Sequence, residues 1–442
     1  MATFISTPSH ENLPRTADVV VIGGGPAGAA ALWAIDRAAP TTRTVLLEAS
    51  ESLGAGSSVA SLECFRSCWP TLCLARQLER SIEVFLHADE YLGEGAGKDI
   101  AVRQNGYFFC AFTEAQAAGL KADVARLHEI GLTHVEYLEA EAIRQRFPWV
   151  GERVIAGKFD PMAGWLDSNA LIYRFARSAK NAQIVLGVGE IQICVEHGKV
   201  IGVTTPFGDI ATPRVLIAAG AGAVALARGV GITLPVVIRP RQSFTTAWRD
   251  ERIPPTSPMI ISSAPFAHLR PEAHEGAIFG FEYTWHNKYA GAAYGTNAQH
   301  DGLLEPVFPV ANLKDPRFPS ITLALLARQF GHRDGEGFAN PRYLRGIRHN
   351  IGYYVCRGDE AAYRVGNEGT HIPYESERAI IDAASEIDGL FLSIAHAGHG
   401  IMSSPTAGEI AASRVLGLPF TDPTFADFGI GVHWVEHDER VL

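Results

Sequence analysis

Six residues near the N-terminus limit this chain more than any other stretch. Gly23-Gly24-Gly25-Pro26-Ala27-Gly28 is a G-x-G-x-x-G. It stands between an apolar, β-branched run, Asp18 to Ile22, and a run of helix formers, Ala29 to Arg37. Thr42 to Leu47 then reads as a second buried strand, and it closes on Glu48. In such a turn Gly23 allows the tight reversal and Gly25 lets a pyrophosphate approach the backbone. Gly28 lets the helix close on the strand. Pro26 and Ala27 lie where the helix starts, and its free N–H groups and dipole favour phosphate. Glu48 would accept hydrogen bonds from a ribose and repel a 2′-phosphate. The glycines alone are a weak signal. With strand, helix, strand and carboxylate in register they predict a dinucleotide site.

Composition narrows the setting. At 442 residues the chain suggests two or three lobes. Its 38 Lys and Arg against 48 Asp and Glu leave a net charge of −10, with no basic run, so nucleic acid and acidic membranes are poor partners. No uncharged apolar stretch is long enough to span a bilayer. Met1 to Ala17 has no apolar core of a secretory signal, and six cysteines fit a reducing, cytoplasmic setting. Cys64, Cys68 and Cys73 match no metal-ligand spacing, so they read as buried thiols and no metal is expected.

Two later segments decide between dinucleotides. Val215 to Ala219 reads as a buried strand that runs into Gly220-Ala221-Gly222. Gly389 to Met402 is another strand into a glycine turn, followed by a helix that starts at Ser403-Ser404-Pro405 with capping-serine and N1-proline chemistry. A nicotinamide dehydrogenase has no obvious use for that late turn. A flavin does, because the helix dipole can stabilise negative charge at N1 and C2=O of the reduced ring. The expected cofactor is FAD.

The three segments in this order resemble the D-amino acid oxidase superfamily of FAD-dependent oxidoreductases, from about Asp18 to Leu416. Phe147-Pro148-Trp149, Gly164-Trp165-Leu166-Asp167 and Gly352-Tyr353-Tyr354 look closest to its sarcosine oxidase and dimethylglycine–sarcosine dehydrogenase-like branch. That branch also holds a mitochondrial protein of respiratory complex I assembly. The resemblance implies an α/β fold. A Rossmann-type, glutathione-reductase-like FAD-binding domain would be interleaved with an α+β substrate domain on a mixed or antiparallel sheet. The FAD domain would take residues 1–100, 152–237 and 371–442, and the substrate domain 101–151 and 238–370. Within the latter, Phe279 to Tyr283 and Arg348 to Cys356 alternate like strands. Residues 285–320 read as a surface excursion and Leu323 to Phe330 as a short helix.

The resemblance further implies removal of a hydride from the carbon next to an amine, to flavin N5, giving an imine that hydrolyses. The partners would be a small amine or amino acid and either O2 or another electron acceptor. Two alternatives stay open: an FAD-containing assembly or scaffold protein without amine turnover, and a flavin monooxygenase. By the same resemblance Ser57, Ser58, Ala219, Gly220, Gly398, His399, Gly400, Ile401 and Met402 would border FAD, and Tyr354 and Tyr353 would face the substrate. Tyr354 stands where D-amino acid oxidase and glycine oxidase carry a carboxylate-binding arginine, and Met402 where sarcosine oxidase carries a lysine. Arg66, Arg270 and Arg348 are the remaining cations, with Arg66 foremost because the segment after Gly56-Ser57-Ser58 passes the flavin in relatives. Ile278 replaces an oxygen-activating lysine, which favours a dehydrogenase unless His268 or His286 substitutes. His396 replaces an apolar residue of the late turn, either as a polar active-site group or simply bonded to backbone. Gly352 stands at the linking cysteine of sarcosine oxidase, so FAD is expected to be noncovalent.

Overall fold

The β-branched run Val19–Ile22 is buried along its whole length and pairs in parallel with Thr44–Glu48, Val20 opposite Val45. An apolar strand with no polar face is stable only in the middle of a covered sheet. The computed structural model, which describes residues 3–281, 305–358 and 378–432, places both strands at the centre of seven. The order is Thr3–Ile5, Gln183–Leu186, Thr44–Glu48, Val19–Ile22, Val215–Ile217, Leu390–Ile394 and Ile380–Ala383. Every pair is parallel except the last. The three strands that run into glycine turns are therefore neighbours, and all three turns open at one edge of the sheet. That edge, at the carboxyl ends of parallel strands, is where ligands settle in open α/β folds.

Small residues set the layer beside the sheet. The helix Pro26–Ala38 is almost wholly buried and rich in alanine, and the helix Ser404–Leu416 crosses it closely. A Cβ on Gly408 would lie 2.5 Å from the Ala30 backbone, so only glycine permits the crossing. The first residue of that second helix follows Ser403, whose hydroxyl makes no capping bond and is buried without a partner. Pro405 does occupy the first turn, so the proline part of the expected start is present and the serine part is not.

A second sheet of eight strands rises over the open edge. Its order is Arg348–Arg357, Val236–Thr246, Gly276–Gly280, His268–Glu272, Met259–Ile261, Tyr107–Ala111, Ala156–Asp160 and Glu136–Glu139. The sheet is mixed: Met259–Ile261 and Tyr107–Ala111 run parallel, and the other pairs are antiparallel. Ala156–Asp160 corrects the expected boundary at residue 152, since this strand belongs here. Phe147 explains it, packing 5.1 Å from Phe108 and 5.4 Å from Phe159 and holding the strand in an aromatic core.

Three other readings shift. The helix expected at Leu323 starts at Phe318, with a proline in its first turn and left-handed Gly331 ending it after Phe330. Part of the expected excursion is ordered as the short turn Val310–Leu313. The strand expected to reach Tyr283 ends at Gly280, and Glu282, Tyr283 and His286 lie outside the described residues. Among the described residues no helix is long and apolar enough to cross a membrane.

Candidate active site

The first glycine turn is shaped by close backbone approach. Gly23 has φ +114°, and a Cβ there would fall 2.5 Å from the Ala218 carbonyl oxygen. One on Gly28 would fall 1.9 Å from the Gly23 oxygen, so Gly28 serves helix–strand packing and does not reach the cavity wall. Gly25 differs, because nothing lies within 4 Å of its Cβ position. Glu48 closes the turn from the side. Its Oε2 accepts from the Gly24 amide at 2.6 Å and its Oε1 from the Ser50 amide at 2.8 Å. Glu48 thus braces two loops and also borders the cavity, a duty the sequence did not suggest.

From this turn a cavity of about 1370 Å³ runs between the two sheets. Gly23, Gly25, Pro26, Ala27 and Glu48 stand at one end, followed by Ser57, Ser58, Ala219 and Gly220. Open space above Gly25, at a helix start and beside a carboxylate, fits an adenosine pyrophosphate.

The late turn adds His396, Gly398, Gly400, Ile401 and Met402 to the cavity wall. Ala395 and Ala397 there hold φ of +60° and +44°, a conformation that costs side-chain-bearing residues energy and is kept where surroundings demand it. His396 Nε2 lies 3.2 Å from Ser393 Oγ, and burial, aided by neighbouring His399, pushes its pKa down to about 3. The imidazole is therefore neutral at physiological pH. His399 is fully buried outside the wall, its ring 5.1 Å from that of Trp69. It packs there against Trp69.

Both adjacent tyrosines border the cavity, but their hydroxyls are used differently. Tyr354 borders the cavity and lies on the late turn, where a Cβ on Gly398 would be 2.8 Å from its ring. The Arg241 guanidinium stands 5.3 Å from the Tyr354 ring centroid. Tyr353 is different: its hydroxyl donates to the Val307 carbonyl at 2.6 Å and accepts from the Val307 amide at 2.8 Å. Its own amide donates to Ser57 Oγ at 2.8 Å. Its hydroxyl is committed to Val307, although the residue itself borders the cavity. Gly352 has a steric reason as well, since a Cβ would sit 3.0 Å from Ser57 Cα and Cβ.

The three candidate cations fare differently. Arg270 lies outside the wall and is spent on the Leu62 and Pro271 carbonyls and on Glu272, with Glu63 3.6 Å away. Arg348 borders the cavity from an exposed position. Arg66 borders it while only 3% exposed, its guanidinium 4.2 Å from the Trp69 ring centroid and 5.6 Å from that of Phe109. Its Nη1 has no hydrogen-bond partner, and no ion pair neutralises it among the described residues. Trp69 and Phe109 were missed in the sequence, although Trp69 follows Arg66 by three positions.

His268 borders the cavity, its Nδ1 2.8 Å from the Phe266 carbonyl, which can only accept. Ile278 is buried in its strand and is not among the residues that border the cavity. Cys64, Cys68 and Cys73 are buried and none of them is in a disulfide.

Residues 18–414 match the DAO family, FAD dependent oxidoreductase. The chain belongs to this family. Its members oxidise amino acids or amines with FAD, and the present flavoenzyme shares their fold. It is 25% identical over 313 residues to sarcosine oxidase subunit beta of Arthrobacter sp, covering 67% of this chain and 73% of that one. It is 30% identical over 241 residues to human mitochondrial sarcosine dehydrogenase, covering 51% of this chain and 25% of that one. Among solved structures, L-proline dehydrogenase from P. horikoshii superposes with a TM-score of 0.71 at 20% identity, covering 95% of this chain and 98% of that one.

Proposed function

We propose that this flavoenzyme acts on amino acids, primary or N-substituted, and that Arg66 binds their carboxylate. The observation that carries the reading is a buried arginine on the cavity wall whose Nη1 has no hydrogen-bond partner and which no ion pair neutralises among the described residues. A charge removed from water costs several kcal/mol unless it is paired. Stacking on Trp69 and Phe109 offsets part of this cost, roughly 0.5–2 kcal/mol for a cation over an aromatic face. The stacking fixes the guanidinium plane but leaves hydrogen-bond donors unspent, the state in which an arginine recognises a carboxylate edge-on.

Bound FAD supplies the hydride acceptor. The chain's own residues do the placing. Arg66 fixes the substrate carboxylate, and Tyr354, His396, Ile401 and Met402 border the same cavity. His396, held neutral, adds polarity there without a second charge that would repel an ammonium. Tyr107, Met259 and Ile261 border the cavity with apolar or aromatic surface and exclude water from the reacting carbon. The amine nitrogen must give its lone pair to the new C=N bond as hydride leaves the carbon, and water then hydrolyses the imine outside the protein's control. Gly352 and the tight space beside it support noncovalent FAD.

The test compares amino acids with the amines that lack their carboxylate, measuring carbonyl product with O2 and separately with an acceptor dye. The reading expects kcat/KM for the acids to exceed that for the amines by about a hundredfold, the worth of a buried charged pair. Equal turnover of acids and amines would overturn it. The ratio of the two acceptors separates oxidase from dehydrogenase.

A further inference from the structure

An arginine that recognises a carboxylate must be held in place, and the loop carrying Arg66 has no regular structure beyond the two-residue strand Cys64–Phe65. What holds it lies on the other sheet. Asp160 ends the strand Ala156–Asp160, and its side chain is wholly buried. Its Oδ2 accepts from the Ser67 amide at 2.8 Å, the Ser67 hydroxyl at 3.0 Å and the Cys68 amide at 3.1 Å. Its Oδ1 accepts from the Met162 amide at 3.0 Å. Three of these four donors belong to the two residues that follow Arg66.

The surroundings extend the same arrangement. Tyr107 pairs with Asp160 and Phe109 with Lys158 across antiparallel strands, so all four side chains share one sheet face. Phe109 carries Arg66 at 5.6 Å and Lys158 at 4.4 Å from its ring centroid. Lys158 is itself paired with Asp123, so its charge is met elsewhere. Ser67 gives its one hydroxyl proton to Asp160, so the 2.7 Å contact between Ser67 Oγ and His134 Nε2 places the proton on Nε2. The same Nε2 lies 3.6 Å from Asp160 Oδ1. A buried carboxylate accepting this many bonds is stable only while each donor is present.

We infer that Asp160 is a positioning residue for Arg66: through Ser67 and Cys68 it seats the loop so that the guanidinium meets the substrate carboxylate. The inference rests on the reading of Arg66 given above, and the experiment separates the two. Benzoate is titrated into the FAD-loaded protein, with the change in the visible flavin band as readout and neutral benzamide as control. Wild type, Arg66→Met, Asp160→Asn, Ser67→Ala and the double variant Arg66→Met with Asp160→Asn are compared.

Arg66→Met should abolish saturable benzoate binding or weaken it by about a hundredfold. Asp160→Asn should weaken it by about tenfold, the usual cost of disturbing hydrogen bonds to a charged group, and Ser67→Ala by a few-fold. In the double variant Asp160→Asn should add nothing to the loss from Arg66→Met, and benzamide should not respond to either change. If Asp160→Asn impairs folding, Ser67→Ala alone and with Arg66→Met repeats the comparison. Should Arg66→Met weaken benzoate while Asp160→Asn and Ser67→Ala bind it like wild type, the positioning role is overturned and the Arg66 reading stands. An Asp160→Asn loss that multiplies fully with Arg66→Met overturns it as well. Wild-type binding that is absent, or unchanged by Arg66→Met, removes both readings together.

Discussion

The Arg66 guanidinium lies 4.2 Å from the centroid of the Trp69 ring, three residues further along the chain, and among the described residues its Nη1 has no hydrogen-bond partner. A cation over an aromatic face is oriented without being neutralised. Arg66→Lys keeps the charge but loses the planar fork and the stacking. It should raise KM for an amino acid by at least about tenfold and leave flavin content unchanged. Steady-state kinetics alongside the flavin absorbance ratio measures both.

The two adjacent tyrosines should respond in opposite ways. Tyr354→Phe removes a hydroxyl from a residue on the cavity wall, so kcat or KM should change by several-fold to tenfold with stability kept. Tyr353→Phe leaves the Val307 amide and carbonyl without their partner and should cost about 1–3 kcal/mol of stability while kinetics stay near wild type. Denaturant unfolding and turnover of the two variants measure the contrast.

At the other end of the cavity, Glu48→Arg should lower FAD occupancy severalfold. It replaces the acceptor of the Gly24 and Ser50 amides with a bulky cation beside the first glycine turn. Glu48→Gln, which keeps an acceptor, should lose less. Flavin released per mole of purified protein gives the answer.

Acid should destabilise the fold before most carboxylates titrate. Burial lowers the pKa of His396 to about 3 and also lowers those of His332 and His349. An unfolded histidine titrates near 6.5, so below that pH the unfolded chain binds more protons than the folded one. Stability is therefore full above about pH 6.5 and falls as pH drops toward the folded values. Glu63, raised by burial, works in the opposite sense at lower pH. Urea midpoints at pH 7.5, 6 and 5 should decline in that order, and His396→Asn should flatten the decline.

Much of the cofactor end was legible because its chemistry is local. Gly23, Gly25, Gly28 and Glu48 sit within one βαβ unit, and each neighbouring apolar run has a single stable environment, the centre of a parallel sheet. The late turn was legible for the same reason. What occupies the Tyr353 hydroxyl was not legible, because its partner Val307 lies 46 positions away and no local pattern joins the two. Asp160 and His134 gave no signal at all, since their partner Ser67 lies 93 and 67 positions away and nothing in their local sequence marks the meeting.

The central claim is amine-linked hydride removal in a cavity that selects carboxylates. Anaerobic mixing of the FAD-loaded protein with amino acids, N-methyl amino acids and their decarboxylated amines tests it most directly, with the visible flavin band as readout. At least one amino acid should bleach the band, while the corresponding amine does so far more slowly and Arg66→Met removes the difference. A band that no amino acid bleaches although dithionite does, or that amines bleach as fast as the acids, would contradict it.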